Sequence, residues 1–213
     1  MTTIPRGPQR ANGHLFVVSA PSGAGKTSLV RALLAARDNL RVSVSHTTRA
    51  RRDGEVDGVD YHFTDAERFD HMAAAGEFLE HATVFDHSYG TSRAAVASLL
   101  DAGHDVVLEI DWQGARSIRA AAPDAISIFV LPPSLAALES RLRGRGDDSA
   151  VIARRMRDAQ REISHYPEYD YLVVNDDFDQ ALAAFAAILD ATAQRRAAQT
   201  LRHAALLAEL VAP

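Results

Sequence analysis

Residues 14–37 read HLFVVSAPSGAGKTSLVRALLAAR, and the fold of this stretch constrains everything that follows it. HLFVVSA (14–20) is a short apolar run rich in β-branched and aromatic residues, which reads as a buried strand. TSLVRALLAAR (27–37) has leucines at helical spacing. Between them lies APSGAGKT (20–27), which follows the spacing G-x-x-x-x-G-K-S/T in the strand–turn–helix context that this phosphate-binding pattern requires. Glycines in such a turn let successive backbone N–H groups converge on phosphate oxygens with no Cβ in the way. The helix start adds positive potential. Ala20, Pro21, Ser22, Gly23, Ala24, Gly25, Lys26, Thr27 and Ser28 are therefore candidate nucleotide-phosphate contacts. Lys26 would reach the β- and γ-phosphates, and the Thr27 hydroxyl would ligate Mg²⁺. Ala20 stands where the pattern has its first glycine. A plain glycine-rich turn with an exposed lysine would not explain why flanks and spacing agree.

Outward from this turn, strand-like and helix-like segments alternate. Thr64 and Glu67 suit a capping box before ERFDHMAAAG, with Gly76 as C-cap. SRAAVASLLDAG (92–103) reads as an amphipathic helix, DVVLEI (105–110) as a strand, QGARSIRAAA as a helix and AISIFVL (125–131) as a strand. Ser134 caps LAALESRLRGRG, a long charged helix follows at about 149–165, and YLVVN (171–175) is the last strand before an alanine-rich helical remainder. This alternation predicts an α/β domain with a parallel sheet covered by helices on both faces. Residues 43–90 break it with short polar strand-like pieces, which predicts an inserted lobe.

The 213 residues suit one domain, or a core with small inserted lobes, and 47% hydrophobic with 24% charged residues is ordinary for a globular chain. No apolar run approaches the roughly 20 residues of a membrane span. MTTIPRGPQRANGH lacks an apolar h-region and reads as a short disordered lead. With no cysteine there is no disulfide and no thiolate metal site, which fits a cytoplasmic protein. A net charge of −5 and a pI near 6.0 argue against a general nucleic-acid binder. Against that balance, Arg49, Arg51 and Arg52 crowd into SVSHTTRARRDGEVDGVDYHF (43–63), and RLRGRG (141–146) is followed by Arg154 and Arg155. Each group alone reads as a solvated charged face. Beside a phosphate-binding turn, they suggest one set gripping an acceptor's phosphate and another closing over the transferring group. A motor or switch needs only a nucleotide and water, so a second arginine set favours a kinase.

Five blocks then stand out in order: SAPSGAGKTS, SVSHTTRARRDGEVDGVDYHF, GEFLEHATVFDHSYGTS, EIDWQGARSIR, and PPSLAALESRLRGRG with VVNDD further on. On these blocks the chain, from about residue 14 to 190, resembles guanylate kinase, the GMP kinase of the nucleoside-monophosphate kinase group. Ala20 also occurs in bacterial members. The resemblance implies a P-loop NTPase fold whose core (14–42, 92–133, 166–190) carries a GMP-binding lobe (43–91) and a helical lid (134–165), with a helical tail at 191–213. It implies that Arg49 and Arg52, with the Tyr61 and Tyr89 hydroxyls, bind the GMP phosphate, leaving Arg51 at the surface. Guanine contacts map to Ser45 and Glu80, with Thr91 where some members carry serine. Glu109 and Asp111 are carboxylates beside Mg²⁺ and the acceptor, although many members have aspartate at the first position. The lid arginines are Arg141, Arg145 and Arg155, and Asn175 falls where the adenine of ATP is expected.

The implied activity is transfer of the γ-phosphate of ATP to GMP. Lys26, Arg49, the lid arginines and Asp111 act in catalysis, with Mg²⁺ as cofactor and no nucleic-acid or membrane partner. Phosphoryl transfer demands in-line positioning and charge neutralisation more than covalent help. No covalent intermediate and no catalytic histidine is expected, although nine histidines are present, His46 and His87 among them. Two alternatives have different signatures. A catalytically silent guanylate-kinase-like binding module would lose P-loop function, and a sugar-phosphate kinase would lose Ser45, Glu80 and the DWQG block. Oligomeric state stays open, because the tail reads equally as a packed or an assembly helix.

Overall fold

The computed structural model describes residues 13–84, 86–144 and 149–212. In chain order, β1 (Leu15–Ser19), α1 (Lys26–Ala36) and β2 (Leu40–Val42) lead into β3 (His46–Thr47), β4 (His62–Phe63), α2 (Ala66–Ala74), β5 (Phe78–Val84) and β6 (His87–Ser92). Next come α3 (Arg93–Asp101), β7 (Asp105–Glu109), α4 (Trp112–Ala121), β8 (Ile126–Leu131) and α5 (Leu135–Arg143). Then follow α6 (Ser149–Ile163), a 3₁₀ turn at Tyr166–Glu168, β9 (Tyr171–Val174), α7 (Phe178–Ala193), α8 (Arg196–Arg202) and α9 (Ala204–Leu210). Arg145 and the lead at 1–12 lie outside the described residues.

The core sheet has the order β2-β7-β1-β8-β9, with every neighbouring pair parallel. All five residues of β1 are buried, and its alternate side chains go to opposite faces. Phe16 and Val18 pack with Leu29 and Leu33 of α1 and Phe185 of α7, whereas Leu15 and Val17 pack with Val96 of α3 and Ile118 of α4. A strand covered on both sides has no polar face, which is why it reads as a continuous apolar run. Each fully buried side chain of this size contributes about 1.5–3 kcal/mol. β2, only three residues long, gives no such signal and is not evident in the sequence.

Residues 46–92 carry a second sheet of order β4-β3-β6-β5, in which β6 pairs antiparallel with β3 and β5. Phe69 of α2 packs on Phe78 of β5, with ring centroids 4.7 Å apart. The expected capping box at Thr64 does not form. Asp65 caps α2, its Oδ1 accepting from the Arg68 N–H at 2.7 Å, because the Thr64 N–H is taken by the Thr47 carbonyl in continuation of the sheet. Ala75 is the C-cap, and Gly76 follows it at a positive φ of 70°. Ser92 and Ser134 cap α3 and α5. The tail is not one helix but α7, α8 and α9, and Leu201, Leu206, Leu207, Leu210 and Val211 are exposed there. Among the described residues no helix is long and apolar enough to cross a membrane.

Candidate active site

β1, β7 and β9 all deliver their C-terminal ends to one edge of the core sheet, the usual place for a ligand in an open α/β sheet. The turn after β1 is a main-chain device. Gly23 and Gly25 both adopt φ of 94°, which disfavours any side chain. A Cβ on Gly25 would fall 2.3 Å from Asn175 Nδ2. Asn175, only 6% exposed, donates from Nδ2 to the Ala24 carbonyl at 2.7 Å, and Arg141 Nη2 donates to the Asn175 carbonyl at 3.0 Å. The amide expected beside adenine is thus bonded to the turn after β1, and Arg141, expected in the lid, reaches the same point. Pro21 and Ala24 are buried, Ala20 is half-buried, and Ser22, Thr27 and Ser28 are exposed at the mouth.

Lys26 opens α1 among carboxylates. Burial lowers its pKa, while Glu109, Glu162 and Asp111 pull it back up. The Thr27 hydroxyl donates to Glu109 Oε2 at 2.9 Å, which puts Glu109 beside the first turn of α1. Asp111 caps α4, its Oδ1 accepting from the Gly114 N–H at 2.9 Å and its Oδ2 from Gln113 Nε2 at 3.2 Å. A hydroxyl with two nearby carboxylates is a set of hard oxygen donors, which fits Mg²⁺ arriving with phosphate oxygens. Glu162 of α6 was not marked by any motif. Its carboxyl lies against Lys26 and the Ser22 N–H, and burial pushes it up to about 7.

On β5, against the first turn of α4, Glu80 is 6% exposed and fully buried Thr91 donates to its Oε1 at 2.6 Å. Burial pushes the Glu80 carboxyl up to about 7, with a smaller push from the Asp111 charge and opposition from the Thr91 bond. Ser45 is half-buried, its carbonyl accepting from the His62 N–H at 2.9 Å. Arg49 lies 5.3 Å from the Tyr61 ring, which meets the Tyr89 ring edge-on at 6.0 Å. Its Nη2 donates to Glu55 Oε1 at 2.6 Å, and the Arg52 N–H donates to Glu55 Oε2 at 2.8 Å. The structure therefore gathers Arg49, Tyr61 and Tyr89, adds the unforeseen Glu55, and leaves the Arg51 and Arg52 side chains exposed.

Arg155 is half-buried on α6. The exit of α6 is fixed to α4 by a clasp. Trp112 stacks on His165 at 3.7 Å and 8°, and Arg116 lies 5.0 Å from the Trp112 ring. Glu168 accepts from Arg116 Nη2 at 2.6 Å, Arg119 Nη2 at 2.6 Å and His165 Nδ1 at 2.8 Å. These bonds, Arg116's foremost, hold its carboxyl down at about 2.

A parallel α/β core with this turn and lysine, beside a lobe that carries a buried carboxylate and an arginine set between Tyr61 and Glu55, is the arrangement of a P-loop phosphotransferase of the nucleotide-kinase kind. The guanylate kinase family profile matches residues 12–192. The chain is 58% identical over 202 residues to a guanylate kinase of Chromohalobacter salexigens, covering 94% of each chain. It is 56% identical to one of Pseudomonas fluorescens, covering 94% of this chain and 98% of that one. The crystal structure of guanylate kinase from Anaplasma phagocytophilum matches with a TM-score of 0.73 at 35% identity, over 87% of this chain and 88% of that one. The chain belongs to the guanylate kinase family, whose members are ATP:GMP phosphotransferases.

Proposed function

We propose that the chain transfers the γ-phosphate of ATP to GMP, giving ADP and GDP, with the core holding ATP, residues 43–91 holding GMP and residues 134–165 closing over both. The observation that carries the base assignment is Glu80, a carboxylate buried in the lobe and oriented by Thr91. Guanine offers two adjacent donors, the N1–H and the 2-amine, which one carboxylate can accept together. Adenine presents an acceptor at N1 and no 2-amine, so the same group repels it. Ser45 adds a weaker contact at the base edge. Arg49 and Arg52, with the Tyr61 and Tyr89 hydroxyls, hold the GMP phosphate, and Arg49 must exchange Glu55 for it.

The β- and γ-phosphates lie on the N–H groups of the turn, with Lys26 against the transferring group. Charge that develops there is neutralised by Lys26 and by Arg141, Arg145 and Arg155 of the lid. Thr27 would hold Mg²⁺ directly and Asp111 indirectly, with Glu109 beside them; when bound, the ion neutralises phosphate charge. Asp111 also orients the acceptor. Lid closure keeps water away from the γ-phosphate. We place the enzyme in the cytoplasm, in purine nucleotide metabolism and GMP recycling. Intact Gly25, Lys26 and Thr27 weigh against a silent binding module, and Glu80 and Ser45 against a sugar-phosphate acceptor.

The test is a coupled assay with ATP as donor and GMP, AMP or a ribose bisphosphate as acceptor, run on the protein and on Glu80→Ala. The expected outcome is GMP kinase activity whose kcat/KM falls in Glu80→Ala by up to roughly 10⁴-fold, while weak AMP activity stays level or rises. A parallel fall on both nucleotides would remove Glu80 from base reading.

A further inference from the structure

Gly114 is buried in the first turn of α4, at a backbone conformation open to any residue. A glycine inside a helix is less favourable than alanine, so conformation gives no reason for it here. Space does. A Cβ at this position would stand 2.7 Å from Glu80 Oε2, 3.2 Å from Glu80 Cδ and 3.3 Å from Ile110 Cδ1. None of these neighbours yields easily. Glu80 Oε1 is bonded to Thr91 Oγ1 at 2.6 Å, across a register that pairs the two residues in the lobe sheet. The Ile110 side chain closes another side, and the helix start is itself pinned by the Asp111 cap on the Gly114 N–H. A methyl group would have to turn the carboxylate off Thr91 or lift α4 away from β5.

We infer that Gly114 is a positioning residue for base specificity: the side chain it lacks is the space in which the Glu80 carboxylate stands. The inference rests on Glu80 as the guanine contact. It also gives one turn of α4 two duties, since Asp111 serves the transferring phosphate and Gly114 sets the base pocket.

The experiment measures Gly114→Ala with GMP and with inosine monophosphate, which lacks the 2-amine and so offers the carboxylate one donor instead of two. The expected result is a loss of roughly 10²-fold in kcat/KM for GMP, mainly through its KM, with the KM for ATP within about 2-fold and the preference for GMP over inosine monophosphate sharply reduced. Equal losses on both acceptors would overturn the inference and leave Gly114 as a packing residue. In a Glu80→Ala background the same substitution should cost less than about 2-fold more, since the group it acts through is gone; a full additional loss there also overturns it. Should Gly114→Ala alone fail to fold, the double variant Gly114→Ala/Glu80→Ala should fold, because the clash has been removed. Failure of both shows that the space is not kept for Glu80. Carboxyl ¹³C titration of Glu80 in the nucleotide-free protein separates the two premises. A midpoint unmoved by Gly114→Ala overturns the placement. A moved midpoint, together with a Glu80→Ala enzyme that still prefers GMP, overturns base reading and with it the specificity role.

Discussion

At the edge of the core sheet the turn after β1 is largely main chain, two glycines at φ 94° and the first turn of α1, with Lys26 the charged side chain it carries. In the lobe sheet the proposed acceptor site is made of side chains: Glu80 against Thr91, and Arg49 between Tyr61 and Glu55. On the reading proposed above both regions meet nucleotides, but their electrostatics differ. Main-chain dipoles need no counter-charge and titrate at no pH. Among its described residues the lobe has no such turn and relies wholly on ionisable groups that must be desolvated or neutralised while they wait. The Glu80 carboxyl is pushed up to about 7 there, as the Glu162 carboxyl is beside Lys26 on the core side. The core side thus joins backbone dipoles to one buried lysine among carboxylates, whereas the lobe is tied to pH and to its internal ion pairs.

The largest expected effect lies on the core side. Lys26→Met should lower turnover by two or more orders of magnitude, about 3 kcal/mol of barrier or more, with GMP affinity nearly unchanged. Steady-state kinetics beside GMP titration would check the split, and near-normal turnover would break the division between the two halves.

The second effect tests the lobe's charge. With a folded-state pKa of about 7 against an ordinary 4.5, Glu80 binds its proton more tightly in the folded protein. Its contribution is favourable below about 4.5 and is lost as pH rises through about 7. Glu80→Gln, which keeps an acceptor for Thr91 and never ionises, should therefore gain stability over the parent progressively across that window, reaching about 3 kcal/mol at pH 8. Paired urea titrations at pH 4.5 and 8 measure it, and an equal difference at both would show that the carboxyl is not strained by burial. The smallest effect belongs to Glu55→Gln. Releasing Arg49 from its ion pair should tighten GMP binding by about 3-fold, less than 1 kcal/mol, as expected of a partly solvated pair. Weaker binding by calorimetry would instead make Glu55 a support for Arg49.

Legibility followed the same divide. APSGAGKT was readable because its chemistry is contiguous and local, and β1 because burial on both faces leaves an unbroken apolar run. The lobe was visible only as a break in alternation. Its site residues came from family blocks, since Ser45, Tyr61, Glu80 and Tyr89 look like ordinary loop and strand residues until the register brings them together. Glu55 and Glu162 escaped altogether, their partners being set by how the chain folds back and not by spacing. Asn175 was noticed, but its bond to Ala24 depends on β9 ending beside the turn. Thr64 failed as a cap because two equally good caps were adjacent and the sheet claimed one of them.

The stack of Trp112 on His165 gives the protein an optical property of its own. The chain contains a single tryptophan, so all of its indole emission arises where α4 meets the exit of α6. The His165 imidazole lies face to face with that ring at 3.7 Å, so the emission senses whether the stack is made. Unlabelled protein thus carries a built-in reporter at the junction of α4 with the exit of α6, silent about the rest of the molecule, and any movement that parts the two rings can be followed in real time as light.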